Sequence, residues 1–197
     1  MTAAQPKAKG NLKLLPPPEV GRWRLYERMG LQIRSFVGIS LNVKLDAFGL
    51  AKSINARVLY ISDLAELPES SRVLLDAIEG WSGGATQDLG DGSYVIVLNK
   101  RHSLGRQTAT LMEEVCHIIF GHKLSVIMPS QLGGRNYNFK IEEEAYTVGA
   151  AALVPYFSLK EMLGSGSSIR KISSNFGVSP SLVMYRIKGL HLHTFLS

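Results

Sequence analysis

Two neighbouring glutamates and a histidine stand close together in TLMEEVCHIIFGHK, which runs from residue 110 to residue 123. Glu113 and His117 are four residues apart, so on a helix both side chains can point at one ion. Glu114 lies beside them on the same side of the helix, where it can act as a general base toward a water molecule. These residue types and this spacing indicate a metal-dependent hydrolytic site.

The remainder of this predicted helix is apolar. At about 100° per residue, seven side chains cover most of its circumference: Leu111, Met112, Val115, Cys116, Ile118, Ile119 and Phe120. A helix of this kind is buried, and buried carboxylates are costly unless an ion or a partner compensates them. The alternative is an ordinary solvated stripe, because E-E-x-x-H also arises by chance. Gly121 is expected to end the helix, with His122 just beyond it.

A second group of carboxylates lies downstream in KIEEEAYTVGAAALVPY, residues 140–156. Glu142 stands at the start of a predicted helix, on one face with residues that let two helices approach closely: Ala145, Tyr146, Gly149 and Leu153. We expect Glu142 to face the first helix, and Glu143 and Glu144 to point elsewhere, near the positive end of the helix dipole. Two residues of one buried helix and a glutamate of another form the ligand set of a gluzincin-type metal site.

The two helical motifs together resemble the ImmA/IrrE (DUF955) metallopeptidase family. The family pattern is roughly R-x-x-x-T-x-x-H-E-x-x-H-x-x-x-x-H and then E-x-E-A-x-x-x-A-A-x-L-x-P, and the resemblance spans about residues 45–156. It implies that His117 and Glu142 are metal ligands and that Glu114 is the catalytic glutamate. Glu113 occupies the place of the first histidine ligand.

The substituted ligand changes the expected metal chemistry. A carboxylate binds zinc at about the same distance as an imidazole, so Glu113 is able to hold the position. Two glutamates and one histidine neutralise a divalent ion, which makes it less effective at acidifying water. The oxygen-rich set therefore shifts the preference from Zn²⁺ toward harder ions such as Mn²⁺ or Fe²⁺.

Three further side chains near the motifs have alternative interpretations. His122 is a candidate substitute ligand, or else a residue that packs or forms a hydrogen bond at the helix end. Cys116 lies away from the polar strip, so we interpret it as a core residue rather than a nucleophile. Tyr146, on the Glu142 face, is a candidate hydrogen-bond donor to an oxyanion, with packing as the alternative.

The elements that would position these residues predict an α+β fold. Helices are expected over EVGRWRLYERMGLQIRSFVGIS, over LDAFGLAKSIN with Asp46 as its cap, and over residues 70–79; ARVLYIS at 56–62 is a strand. ATQDL and SYVIVLN flank GDG as a β-hairpin, and SYVIVLN is a candidate to pair with an extended substrate. With the resemblance, the expected fold is a zincin-like, gluzincin-type minimal metallopeptidase domain with a small, mostly antiparallel sheet packed on helices.

A helix-turn-helix-like hairpin is predicted in SSIRKISSNFGVSPSLVMYRIKGLHL. Gly177 makes the turn, and Ser179 and Pro180 start the second helix. Four basic residues of the hairpin could meet DNA phosphates: Arg170, Lys171, Arg186 and Lys188. The alternative is a hairpin that packs beside the site. Similarly, the arginines of the first helix indicate a solvated basic side rather than a nucleic-acid surface: Arg22, Arg24, Arg28 and Arg34.

Composition limits the setting. The 197 residues, of which 45% are hydrophobic, suffice for one sizeable core, and the single cysteine excludes a disulfide within the chain. No signal-like or membrane-spanning run is visible, so we expect no membrane partner and a cytoplasmic location. The net charge of +6 permits an anionic partner without requiring one. We divide the chain into a flexible arm (1–18), an ImmA/IrrE-like domain (19–160) and the hairpin (161–197).

Two functional hypotheses follow. In the first, the protein is a metal-dependent peptidase with Glu114 as general base, which by resemblance cleaves a regulatory protein such as a helix-turn-helix repressor. In the second, it is a catalytically inactive pseudo-peptidase that acts as a regulatory or DNA-binding module. The first is preferred, because Glu114, His117 and Glu142 all remain in register.

Overall fold

The structure is a computed structural model that describes residues 14–64, 82–87, 91–124 and 139–196. Most of the predicted N-terminal arm and the whole predicted helix at 70–79 lie outside these residues. A short 3-10 helix at Pro18–Val20 lies just before the first α-helix. Residue 160 lies within a helix, and the division of the chain at residues 18 and 160 stays a prediction.

Seven α-helices and three strands make up the regular structure of the described residues, and the predicted α+β class is confirmed. The helices are α1 (Arg22–Phe36), α2 (Ala47–Ser53), α3 (Leu104–Ile119), α4 (Phe139–Leu153), α5 (Tyr156–Gly164), α6 (Ile169–Phe176) and α7 (Pro180–Gly189). The strands are β1 (Ala56–Tyr60), β2 (Gly83–Gln87) and β3 (Tyr94–Leu98). None of the described helices is long and apolar enough to cross a bilayer.

The three described strands form a mixed sheet in the order β1–β3–β2. The predicted hairpin strands pair antiparallel, with Gly83 opposite Leu98. We expected a mostly antiparallel sheet, but β3 inserts between β1 and β2 and runs parallel to β1. Because β3 pairs on both sides, its backbone groups are not available to a substrate, and the prediction that SYVIVLN pairs with one is wrong. Among the described strands, β2 lies at one edge of the sheet and pairs antiparallel with β3.

Helix α4 lies between α3 and α1, and small residues allow both close approaches. A Cβ added at Gly149 would lie 3.1 Å from the carbonyl oxygen of Met112 in α3. On the other side, a Cβ added to Gly30 of α1 would lie 2.7 Å from the amide nitrogen of Ala152. Both contacts are tighter than side chains normally allow, so the backbones meet directly. The predicted close approach of the two site helices is thus confirmed.

A buried ion pair holds the junction between α4 and α5. Glu27 of α1 pairs with Arg186 of α7, and neither side chain is exposed. Glu27 also accepts a hydrogen bond from the Tyr156 N–H at 2.7 Å, and the Arg186 Nε–H donates to the Val154 carbonyl at 3.0 Å. Backbone groups that a helix end leaves without helical partners are satisfied in this way by two distant helices.

Two arginines that we predicted on solvated surfaces are therefore structural residues. Arg186 is fully buried, so it does not meet DNA phosphates as we had suggested. Arg34 is 1% exposed and donates to the carbonyl of Ala152 at 2.6 Å and to carbonyls in the loop after α1. Burial lowers the pKa of Arg34 to about 10. Arg34 and Arg186 thus donate hydrogen bonds to backbone carbonyls, whereas Arg170, Lys171 and Lys188 are exposed.

The predicted hairpin is present as α6 and α7. Ser179 caps α7 by accepting from the Leu182 N–H, and Gly177 adopts a left-handed conformation with φ +65° at the turn. The apolar side chains at helical spacing in the hairpin are buried, except Ile169, which is half-buried: Ile172, Phe176, Leu182, Val183 and Ile187. Packing onto the core accounts for this face, and the role of the exposed basic residues stays a prediction.

Candidate metal centre

Helix α3 supplies the first part of the site, and its sequence explains its position. The Ser103 hydroxyl caps it by accepting from the Arg106 N–H. Four of the predicted apolar residues have no exposed surface: Leu111, Met112, Val115 and Cys116. Towards the end of the helix the burial is incomplete, since Ile118 and Phe120 are half-buried and Ile119 is 42% exposed. The polar strip of α3 therefore lies on a helix whose middle is enclosed by the core.

The structure brings the three predicted ligands together. Glu113 and His117 of α3 and Glu142 at the start of α4 each offer a ligand atom, and these atoms lie within 4.8 Å of one another. The His117 Nε2 is 3.5 Å from the Glu142 Oε2. The His117 side chain is 9% exposed and that of Glu142 is 30% exposed. The cluster is thus buried on the histidine side and open to solvent on the Glu142 side.

His122 lies against the far side of the His117 ring. The two Nδ1 atoms are 3.0 Å apart, and the ring centroids are 5.1 Å apart in an edge-to-face arrangement. The His122 Nε2 lies 3.4 Å from the Glu144 Oε2. As expected, the helix ends before His122, with Gly121 at the turn. The alternative of a hydrogen bond at the helix end is confirmed.

The way in which α3 ends explains this contact. Gly121 has φ +65°, and its N–H donates to the Ile118 carbonyl while the His122 N–H donates to the His117 carbonyl. This pair of bonds is the Schellman motif, which brings the residue after the left-handed glycine back over the last turn. Glu144, which we assigned only to the helix dipole, was missed as a partner of His122. The spacing of HIIFGH relates His122 to His117, but it gives no signal for Glu144 on another helix.

Residues 50–188, well over half of the chain, match the IrrE N-terminal-like domain, peptidase family M78. The chain belongs to this family. The comparison with curated proteins found no match.

Membership confirms the resemblance that the two helical motifs suggested, and it gives the fold its zincin-like character. The match begins in α2 and ends in α7, so it contains both site helices and nearly all of the hairpin. Because the IrrE N-terminal-like family is a metallopeptidase family, the question for this site is whether its residues can hold a metal ion.

The donor set of this IrrE N-terminal-like domain fits a divalent ion. A tetrahedral ion about 2.1 Å from each ligand atom needs those atoms about 3.4 Å apart. The 3.5 Å between His117 Nε2 and Glu142 Oε2 meets that requirement, and Glu113 lies within the 4.8 Å cluster. Two carboxylates with one imidazole also suit borderline and hard divalent ions alike.

The other candidate residues surround this cluster. Glu114 is half-buried next to Glu113, and its catalytic role stays a prediction. Cys116 is fully buried, and burial raises the pKa of its thiol, with the Glu113 charge adding to the rise. The thiol stays protonated, which confirms Cys116 as a core residue. Burial, followed by the same Glu113 charge, raises the pKa of Tyr146 to about 12.

Glu143 does not belong to the cluster. Its carboxylate pairs with Arg22 of α1 at 2.8 Å, on the side of α4 away from the ligands. The prediction that Glu143 points elsewhere is confirmed, and Arg22 is accounted for by an exposed ion pair. Glu143 therefore offers a matched control for substitutions at Glu142 and Glu144.

Proposed function

We propose that the protein is a cytoplasmic metal-dependent peptidase whose ion is held by Glu113, His117 and Glu142. The observation that carries the proposal is the convergence of these three side chains on two packed helices, in a chain of a peptidase family. We further propose that it cleaves a regulatory protein, with a helix-turn-helix repressor as the candidate that the resemblance suggests. Zn²⁺, Mn²⁺ and Fe²⁺ all suit the ligand set.

The bound ion would supply Lewis acidity toward a peptide carbonyl and a water molecule. We assign to Glu114 the role of general base, which would take a proton from a water molecule and deliver it to the departing amine. At neutral pH Tyr146 keeps its phenolic proton, since its pKa is about 12. It can therefore donate a hydrogen bond to a developing oxyanion without losing its proton.

The substrate is proposed to lie along β2 rather than along β3. β2 is the antiparallel edge of the described sheet, and a free edge binds extended chains through main-chain hydrogen bonds. A Cβ added at Gly83 would lie 2.7 Å from the Thr110 Cγ2, so β2 crosses α3 about one turn before Glu113 and Glu114. A cleft of about 410 Å³ joins the end of β2 to His122. Edge strand and ligand cluster are thus neighbours.

Metal content tests the first part of the proposal. The purified full chain, loaded separately with Zn²⁺, Mn²⁺ or Fe²⁺ under anaerobic conditions, should retain close to one equivalent of at least one ion. Single alanine substitutions at Glu113, His117 and Glu142 should each lower the content, and Glu143→Ala should not. Sub-stoichiometric metal under every loading condition would refute the peptidase and leave the pseudo-peptidase.

Cleavage tests the second part. The metal-loaded chain is incubated with denatured protein and with a peptide library, and new termini are identified by mass spectrometry. Glu114→Gln should keep its metal and lose cleavage, because an amide cannot accept the proton. Cleavage that survives this substitution would exclude Glu114 as the base. Gln87→Pro in β2 should impair cleavage without loss of metal, since proline removes a main-chain donor.

A further inference from the structure

We propose that His122 and Glu144 form a hydrogen-bonded support that holds His117 in the tautomer and ring orientation a metal ligand requires. The proposal deepens the proposed function and rests on it. His122 and Glu144 are positioning residues, since they act through His117. The Glu144–His122–His117–Glu142 series is continuous, with separations of 3.4, 3.0 and 3.5 Å.

The two nitrogens of His117 face different partners. Its Nε2 faces the Glu142 carboxylate at 3.5 Å, so this is the nitrogen turned toward the ligand cluster. Its Nδ1 faces the His122 Nδ1 at 3.0 Å. His122 therefore meets the nitrogen that a metal does not use, and it is placed to orient His117 rather than to share the ion.

The placement of hydrogens follows from valence. To bind through Nε2, a neutral His117 must carry its hydrogen on Nδ1. The Nδ1 of His122 must then accept, so the hydrogen of a neutral His122 lies on Nε2. That Nε2 faces the Glu144 carboxylate, which is an acceptor. Glu144 and His122 thus favour the tautomer that frees the His117 Nε2 for a ligand role.

Backbone geometry fixes the support independently of the metal. The His122 N–H donates to the His117 carbonyl at 2.9 Å, which holds the two residues together at the end of α3. Glu144 stands on the first turns of α4, two residues after Glu142. The support therefore joins the same two helices as the ligand cluster, one layer farther from the proposed ion.

Nitrogen NMR reads the tautomers directly. Long-range ¹H–¹⁵N spectra of the full chain are recorded at about pH 8, above the ordinary histidine pKa, with and without Zn²⁺. We expect hydrogen on Nδ1 of His117 and on Nε2 of His122. Hydrogen on Nε2 of His117 in the Zn²⁺-loaded chain, or on Nδ1 of His122, would overturn the proposal.

Zn²⁺ affinity, measured by chelator competition, gives the second readout. Loss of a residue that orients a metal ligand weakens affinity by about 10- to 100-fold, and we expect this for His122→Ala. His122→Asn should recover most of the loss, because its side-chain oxygen can accept from the His117 Nδ1–H. Glu144→Gln should fall between wild type and His122→Ala, and Glu143→Gln should match wild type. Equal affinities for His122→Ala and His122→Asn, or a change below about twofold for His122→Ala, would count against the support.

The two proposals fail separately. A wild-type chain that binds no ion refutes the proposed function. The tautomers of the metal-free chain then still decide on the support: hydrogen on Nδ1 of His117 and on Nε2 of His122 upholds it, and the reverse arrangement overturns it. Metal binding with full affinity in His122→Ala refutes the support alone.

Discussion

Glu27 of α1 and Arg186 of α7 form an ion pair with no solvent exposure, although 159 positions separate them in the chain. Each also satisfies a backbone group at the α4–α5 junction, which follows directly on the helix that carries Glu142. The pair is therefore a long-range tie between the hairpin, the first helix and a site helix.

Removal of one partner of the Glu27–Arg186 pair should strongly destabilise the fold. Glu27→Ala leaves an uncompensated buried guanidinium, so we expect the free energy of unfolding to fall by about 3–5 kcal/mol. Urea unfolding followed by circular dichroism measures the loss. Arg22→Ala breaks the exposed pair with Glu143 and should barely move the midpoint. Similar effects for the two variants would show that burial does not set the strength of the Glu27 pair.

Close approach of the site helices gives a second prediction. In Gly149→Ala the new Cβ would lie 3.1 Å from the Met112 carbonyl oxygen, so α3 and α4 must separate by a few tenths of an ångström. We expect metal affinity to fall by roughly tenfold, as the ligands come from both helices. The control is Gly164→Ala, where the nearest atom is 3.9 Å away. Unchanged affinity in Gly149→Ala would mean that the site tolerates the separation.

The unusual ligand gives a third prediction. Glu113→His replaces a carboxylate with an imidazole and leaves a site of two histidines and one glutamate. Zn²⁺ should bind more tightly by about tenfold relative to Mn²⁺, because imidazole suits Zn²⁺ better than a hard ion. Competition between the two ions on wild type, Glu113→His and Glu143→His measures the ratio. A ratio that stays constant across the three chains would exclude Glu113 from the ligand set.

Tyr146 gives a fourth, pH-dependent prediction. Its pKa is raised to about 12 in the folded chain against 10.0 ordinarily, so the folded state holds the proton more tightly. The stability that results is complete below pH 10 and is lost as the pH rises toward 12. Unfolding free energies measured between about pH 9 and 12 should fall less steeply for Tyr146→Phe than for wild type. Parallel curves would show that Tyr146 titrates alike in both states.

The sequence predicted those features whose causes are local. Helix starts at Asp46 and Ser179 follow from side chains that accept hydrogen bonds from nearby N–H groups. The meeting of α3 and α4 follows from helical periodicity and from small residues such as Gly149. In both cases the pattern that carries the prediction can be read within one helix.

Features that depend on distant partners were not predictable in the same way. Arginines such as Arg34 and Arg186 usually lie on the surface, so the sequence suggested exposed side chains. In the fold both arginines donate to buried carbonyls, and Arg186 also pairs with Glu27. The central place of β3 likewise depends on β1, which lies far from it in the chain. The partner of His122 was missed for the same reason, since Glu144 lies on the other site helix.

Because of its left-handed conformation, Gly121 should be under weak selection for folding and under stronger selection for catalysis. Nothing lies within 4 Å of a Cβ added there, so an alanine meets no clash and strains only the backbone, by about 1–2 kcal/mol. The fold should survive such a change, while His122 would lose the turn that carries it back to His117. In a library of variants at position 121, a growth selection for folding alone should accept many residues. A growth selection for catalysis should retain glycine. The difference between the two selections would show whether glycine at this position is kept for folding or for activity.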